Sequence, residues 1–286
     1  MNSNKKDGLF STNNKIVKYI NYLILTLSVS IIFMPILIIV NIAFKTKKEL
    51  GEKSFISLPD SFFNFDNFMV AINKGKVLMS FKNTFIQLLF GVIISLILST
   101  MTAYILNRFE FKLRKAILTA FIGSITIPFV LVTVSIFNLI CNFGIFNTRI
   151  AGIVLYSGVD IVALFLFLQY LSRISYSLDE SALIDGASYF RIYRSIILPQ
   201  LKPAIATAAI MKGLGIYNDL LTPMLYMPSP NLRTITIWLN SFSNDHATEW
   251  TVMCAGIMIV LLPTLIAYLF LQKYIINGVS SGAIKG

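Results

Sequence analysis

Long uncharged stretches alternate with short polar ones along this chain. Tyr19 to Phe44, Asn83 to Asn107 and Ala116 to Thr148 contain no Asp, Glu, Lys or Arg. Ile150 to Ser172 is interrupted only by Asp160, Ala204 to Met227 carries Lys212 and Asp219, and Trp250 to Gln272 is again uncharged. A hydrocarbon core about 30 Å thick needs about 20 helical residues at a rise of 1.5 Å each. Every stretch reaches that length, and the third exceeds it, with Gly144 and Asn147 marking a turn at its end. Backbone groups in lipid are satisfied only within helices or closed barrels. Continuous apolar runs without alternating polar residues exclude the barrel. The expected fold is an all-α membrane protein with six transmembrane helices.

Composition supports that reading and narrows the function. Hydrophobic residues make up 56% of the chain and charged residues 13%, about half the charge of a soluble domain. The net charge of +11 does not point to nucleic acid, because the basic residues sit in short clusters between apolar runs, with no nucleic-acid-reading motif. Such clusters suit anionic headgroups and set topology. Cys141 and Cys254 both lie in apolar stretches, where a disulfide or metal pair is not expected. His246 is the single histidine, which leaves no basis for a His-based metal site or Ser-His catalysis.

Charge also gives an orientation. The N-tail, the 108–115 and 173–203 connections and the C-tail hold fourteen Lys and Arg; the alternate connections hold nine, seven of them between Lys45 and Lys82. The positive-inside rule therefore favours both termini in the cytoplasm, with the lysine-rich first loop as the dissenting element. The first run ends at Lys45, Lys47 and Lys48 without a small-residue cleavage site, so it reads as an uncleaved anchor. The expected organisation is a cytoplasmic N-tail at 1–18, an anchor helix at 19–44, and an extracytoplasmic loop at 45–82. A five-helix core at 83–276 and a cytoplasmic C-tail at 277–286 complete it.

Between the fourth and fifth runs lies a polar connection of about 30 residues, long for a helical bundle. Ser177 with Glu180 three residues on forms a capping-box pattern, and Asp179 adds negative charge at a helix start. A short helix is expected from Ser177 to near Gly186. Ser188 can cap a second helix through Ile197, closed by Leu198-Pro199. Two readings fit this helix-turn-helix: a pair of interfacial helices on headgroups, or a docking element in which Ala182 and Gly186 form a stripe of small residues.

The segment resembles the cytoplasmic signature of ATP-binding-cassette importer permeases: Glu-Ala-Ala, three residues, Gly, nine residues, Ile-x-Leu-Pro. Glu180, Ser181 and Ala182 stand at the first three positions, and Gly186, Ile196, Leu198 and Pro199 at the others. Ser181 for alanine is the one departure. Asn83-Thr84, Ala103-Tyr104 with Arg108-Phe109, Ile127-Pro128 and Gly144 to Thr148 follow in family order. Asn218-Asp219 resembles a Trp-Asn-Asp element, with Tyr217 in the tryptophan position. Gln272-Lys273-Tyr274, Asn277-Gly278 and Gly282 to Gly286 resemble the ending of maltose-type carbohydrate importers, specifically the shorter of their two unlike permeases.

That resemblance implies a coupling helix-turn-helix between spans four and five, in the cytoplasmic membrane. Its ATPase-coupling residues would be Glu180, Ser181, Ala182, Asp185, Gly186, Ile196, Leu198 and Pro199, with the helix from Glu180 to Gly186 at the ATPase's docking cleft. It implies as partners a second unlike permease, two ATP-binding-cassette ATPase subunits and an extracytoplasmic solute-binding protein. The C-terminal Gly282, Lys285 and Gly286 would reach the ATPase, or form a plain polar end. The 228–249 connection would probe the binding protein, or be an ordinary surface loop. Tyr217, Asn218 and Asp219 are pathway candidates; Asp219 either lines a cavity or braces the bend before Pro223. Neither Lys212 nor Asp160 makes a convincing substrate site by sequence.

No G-x-x-x-x-G-K-[ST] loop occurs: Gly51 to Ser54 lacks the earlier glycine, so ATP would be bound by partner subunits and the chain needs no cofactor. The expected solute is a sugar or oligosaccharide, with another polar solute such as a glycerophosphate as the alternative. A secondary transporter would require an ionisable relay or repeats. A membrane hydrolase would require a catalytic set that is missing here.

Overall fold

The computed structural model describes residues 15–73, 76–243 and 249–283. The described residues contain helices and turns and no strand. Two compact units form: residues up to Ala71 with 245–259, and residues 72–244 with those from Val260 onward.

In the first unit, α1 (Lys15–Phe44) is exposed over its most apolar stretch, as a lipid-facing helix must be. At its end Ile42 and Ala43 pack with Leu50, Phe68, Cys254 and Ala255. The loop after α1 is folded and holds α2 (Lys47–Glu52) and α3 (Asp66–Asn73). Asn67 donates its side-chain amide to the carbonyls of Ala43 and Lys45, both at 2.8 Å. A helix end leaves such carbonyls without intrahelical partners. Phe44 meets Phe62 and Phe65 edge-on and Phe68 at a tilt.

The second unit is organised around α4 (Val77–Arg108). Two helices follow it, α5 (Arg114–Ile125) and α6 (Phe129–Asn142). Next come α7 (Arg149–Tyr156) and α8 (Ile161–Leu171), then the short helices α9 (Ser177–Ile184) and α10 (Tyr189–Ile192). After a π turn at Tyr193–Ile197 come α11 (Leu198–Gln200), α12 (Lys202–Asn218), α13 (Leu221–Tyr226) and α14 (Ile235–Asn240). The last helix, α15 (Trp250–Ala283), runs through much of the segment expected as a tail.

Helices α7, α8, α12 and α14 pack against α4. The buried face of α4 is small and polar: Ser80, Thr84, Gln87, Gly91, Ser95, Ser99 and Ala103 recur at helical spacing. Small residues let helix backbones approach closely in membranes. At Gly91 the approach is extreme, since a Cβ there would lie 2.8 Å from Tyr156 Cβ.

The same face repairs the break between α7 and α8. Ser95 Oγ donates to Gly158 O at 2.8 Å, and the Asp160 N–H donates to Ser99 Oγ at 2.9 Å. Non-helical backbone at membrane depth is tolerated where protein satisfies it in this way.

Among the described residues, four helices are long and apolar enough to cross a membrane: Val17–Phe44, Val77–Arg108, Arg149–Leu171 and Trp250–Phe270. Arg114–Ile125 with Val130–Asn142 adds a fifth if that bent pair is one crossing. The expected six continuous crossings are therefore not all present as such. Pro128 interrupts the third run: its own backbone is extended (φ −60°, ψ 129°), and α6 starts directly after it. The fifth run stops at Asp219, whose backbone is extended (φ −71°, ψ 123°), and restarts as α13.

Candidate functional site

The expected helix-turn-helix is present at 177–200, with two differences from the sequence reading. Ser177 does not close a capping box: it is the first residue of α9, and Ser175 Oγ meets its N–H at 3.2 Å. Leu198-Pro199 does not end the second helix. Proline lacks an N–H and its ring crowds the carbonyl four residues earlier. The backbone widens into the π turn, with Leu198 N–H donating to Tyr193 O, and continues through Pro199.

Between α9 and α10 the turn follows from Gly186. Its φ is +79°, a region that costs L-residues steric strain. Ala187 N–H donates to Ala182 O at 2.9 Å and Gly186 N–H to Leu183 O at 3.0 Å, the Schellman pattern of a glycine-terminated helix. Ser188 then caps α10 through the Arg191 N–H, as its position predicts.

Ala182 is buried in the chain's own core with Tyr104, Ile192, Tyr193 and Ile197. Ala182 and Gly186 are thus not a free small-residue stripe. The outward residues are Glu180, Ser181, Asp185 and Ile184, the last 86% exposed. Ile196 and Leu198 are half-buried beneath, and Pro199 is exposed.

What holds α9 in place is an ion pair that composition and spacing did not reveal. Arg108 Nη2 lies 3.2 Å from Asp179 Oδ2, with side chains only 3% and 11% exposed. Arg108 also donates to Ile174 O at 3.0 Å and lies over the Tyr176 ring at 4.2 Å. Tyr176 OH donates to Asn107 O at 2.5 Å, and Tyr104 OH to Asp179 Oδ1 at 3.4 Å. The last turn of α4 is thereby tied to the start of α9. Thr100 Oγ1 meets Tyr193 OH at 2.9 Å, tying α4 to the second helix as well.

Among the pathway candidates, Tyr217 donates to Val260 O at 2.8 Å, and Asn218 is exposed, its amide on Leu214 O. Asp219 both braces and lines. Its carboxylate accepts the Thr222 N–H at 3.1 Å, capping α13, and the Tyr156 OH at 3.0 Å. It also borders a cleft of about 300 Å³ with Tyr156, Asp160, Met211, Lys212 and Gly215. Lys212 Nζ sits 3.2 Å from Asp160 Oδ2. Sequence reasoning treated these two as unrelated charges; 52 positions apart, they meet across α8 and α12.

The connection after α13 is built rather than loose as far as residue 243. Asn83 donates to the carbonyls of Asn231 and Arg233 at 2.9 and 3.0 Å. Thr84 Oγ1 accepts the Ile235 N–H at 2.9 Å, and Trp238 and Phe242 are buried. The Asn83-Thr84 pair thus has a physical task as a staple. Asn147, at φ +58°, accepts the Ser229 N–H and donates to Ser229 Oγ. Gly282 lies in α15, whereas Lys285, Gly286 and His246 lie outside the described residues. No three His, Cys, Asp or Glu among the described residues gather as a metal site.

In the first unit, Thr46 and Glu49 form the capping box at the start of α2. The Glu49 carboxylate accepts the N–H groups of Thr46 at 2.6 Å and Asp60 at 2.7 Å. These backbone donors hold its pKa at about 2, against 4.5 for an unperturbed glutamate. A depressed carboxylate stabilises the fold above its unfolded pKa and loses that contribution as pH falls through the folded one. Local stability of the 45–71 cap should therefore fall between pH about 4.5 and about 2, read by hydrogen exchange of its amides. Glu49→Gln should remove that dependence; an unchanged profile in the variant contradicts the assignment.

Residues 91–280 match the family described as binding-protein-dependent transport system inner membrane component. The chain belongs to this family. It is 36% identical over 254 residues to a probable starch degradation products transport system permease protein, AmyC, of Thermoanaerobacterium thermosulfurigenes. That alignment covers 88% of this chain and 91% of the relative. The melibiose/raffinose/stachyose import permease protein MelC of Bacillus subtilis (strain 168) is 30% identical over 256 residues, covering 89% and 92%. Among solved structures, a bacterial ABC transporter involved in the import of the acidic polysaccharide alginate matches with a TM-score of 0.82. There the identity is 21%, over 94% of this chain and 99% of that one, and shows the shared permease fold. The chain is accordingly an inner-membrane permease component, not an enzyme. Membership implies a solute-binding protein and an ATPase as partners, and no cofactor of the chain's own.

Proposed function

We propose that this chain is a six-span permease subunit that moves a sugar or oligosaccharide inward, pairs with a second unlike permease, and couples to two ATPase subunits. The carbohydrate class is carried by the relatives at 36% and 30% identity, named for starch products and for melibiose, raffinose and stachyose. The bent pair α5–α6 and the broken pair α12–α13 serve as the third and fifth crossings. Both termini and the α9–α10 segment then face the cytoplasm, in agreement with the excess of Lys and Arg in those connections.

In this reading the outer face of α9, with Glu180, Ser181, Ile184 and Asp185, enters a cleft on the ATPase. Gly186, Ile196, Leu198 and Pro199 set its angle, and Gly282, Lys285 and Gly286 belong to a tail that reaches the same subunit. The observation that favours docking over a headgroup-bound helix pair is the buried Arg108–Asp179 tie. A surface that transmits force needs a rigid mount on a spanning helix, whereas a passive interfacial helix does not. Movement of the ATPase would then pass through α9 into α4.

ATP is bound by the partner subunits. The purified chain alone should hydrolyse none, and adding the ATPase, the partner permease and the loaded binding protein should restore hydrolysis. Hydrolysis by the chain free of other subunits would overturn the reading.

A further inference from the structure

The cleft bordered by Tyr156, Asp160, Met211, Lys212, Gly215 and Asp219 has a charge pattern that a simple helix staple does not need. Asp160 caps α8 through the Ala163 N–H at 2.9 Å and pairs with Lys212. That pair is neutral as a unit. Asp219 stands apart from it: its donors are the Tyr156 hydroxyl and the Thr222 amide, both uncharged. The lining therefore holds two carboxylates and one ammonium. Ionisable residues in a membrane-spanning region are costly against lipid and are kept where they face protein or a water-filled cavity. The side chains of Lys212 and Asp160 are 20% and 25% exposed, so the pair is open to the cleft rather than sealed in the helix packing.

We infer that this cleft is a water-filled segment of the solute path and that its excess negative charge disfavours anionic solutes, making the transported class a neutral sugar rather than an acidic saccharide or a glycerophosphate. The inference rests on the transport reading above for there being a path. Its mechanism is electrostatic. In a cleft walled by low-dielectric protein an unbalanced carboxylate repels like charge more than it would in bulk water, while hydroxyl groups of a neutral sugar can hydrogen-bond to the same oxygens. Asp219 is the residue that sets the preference, and the Lys212–Asp160 pair shares the same lining.

The test uses the assembled transporter in lipid vesicles, freed of other reactive thiols, with Gly215→Cys in this chain. No atom lies within 4 Å of a Cβ placed at Gly215, so the thiol fits without repacking. Met211→Cys, one turn earlier on the same face, is the second reporter. Each is labelled with a trimethylammonium or a sulfonate methanethiosulfonate, and rates are divided by those for a free thiol in solution. Both reporters should react, with the cation favoured by about tenfold. Asp219→Asn retains a cap for Thr222 and a polar partner for Tyr156, and should bring the ratio to about one.

Equal rates in the parent, or a ratio unchanged by Asp219→Asn, would overturn the charge selection. Thiols that react only after denaturation would overturn the water-filled path. The labelling uses no sugar. If it succeeds while the transporter takes up no neutral sugar, the carbohydrate reading fails and the charge selection stands.

Discussion

Arg108→Met should cost the protein about 3–5 kcal/mol, because it leaves Asp179 buried without its cation. Uptake should be lost with it, since the mount of α9 on α4 goes at the same time. The melting midpoint of the purified protein in detergent reads the first effect, and transport in vesicles the second. The double variant Arg108→Met/Asp179→Leu removes both charges and should regain most of the stability, as buried ion pairs replaced by apolar residues often do. Without the tie it should still transport poorly. A single variant as stable as the parent, or single losses that simply add in the double, would show that the pair is not coupled.

Gly186 gives the second large effect. An alanine there must hold φ near +79°, which costs about 1–2 kcal/mol. A tryptophan carries the same strain, but nothing in the chain lies within 4 Å of its Cβ position, so the protein should still fold. The added bulk meets the docking partner instead. Gly186→Trp should keep ATP hydrolysis in the assembled transporter while uptake falls about tenfold, equivalent to about 1.4 kcal/mol of lost coupling. Hydrolysis and uptake measured in the same vesicles decide this. Uptake at the parent rate per ATP would remove Gly186 from the coupling surface.

Sequence reading succeeded where the physics is local. The apolar runs gave the helical class, Gly186 gave a turn, and Ser188 gave a cap because one side chain and one nearby amide suffice. It failed where partners are distant or where two local rules compete. At Ser177 the capping pattern lost to Ser175, whose hydroxyl reaches the Ser177 amide first. At Pro199 the expected stop became a widened turn, because α11 and α12 continue directly beyond it. The break at Ser157 to Asp160 is invisible in hydropathy, since serines on α4 supply the missing partners, whereas the bend at Asp219 is expected from Asp219 and Pro223 and is braced by the carboxylate. The Lys212–Asp160 and Arg108–Asp179 pairs join residues 52 and 71 positions apart, and no spacing rule reaches that far.

The first loop carries a local signal of its own. Thr46 followed by Glu49 is a capping box as plain as the one expected at Ser177, and it opens a folded cap in what reads as an unstructured loop. Asn83-Thr84 stands in the sequence as resemblance alone, whereas Gly144 and Asn147 also mark a turn. The structure supplies their chemistry: two side chains that staple the 231–235 backbone, and a glycine-terminated helix followed by Thr148 as the next cap.

In the proposed function, ATP on partner subunits, transmitted through α9, drives a sugar across the membrane through this chain. The most direct measurement is uptake of labelled neutral oligosaccharides into vesicles containing the assembled transporter and its binding protein. ATP and an imposed proton or sodium gradient are supplied separately. Uptake should require ATP and proceed without any gradient. Uptake driven by a gradient in the absence of ATP would contradict the account.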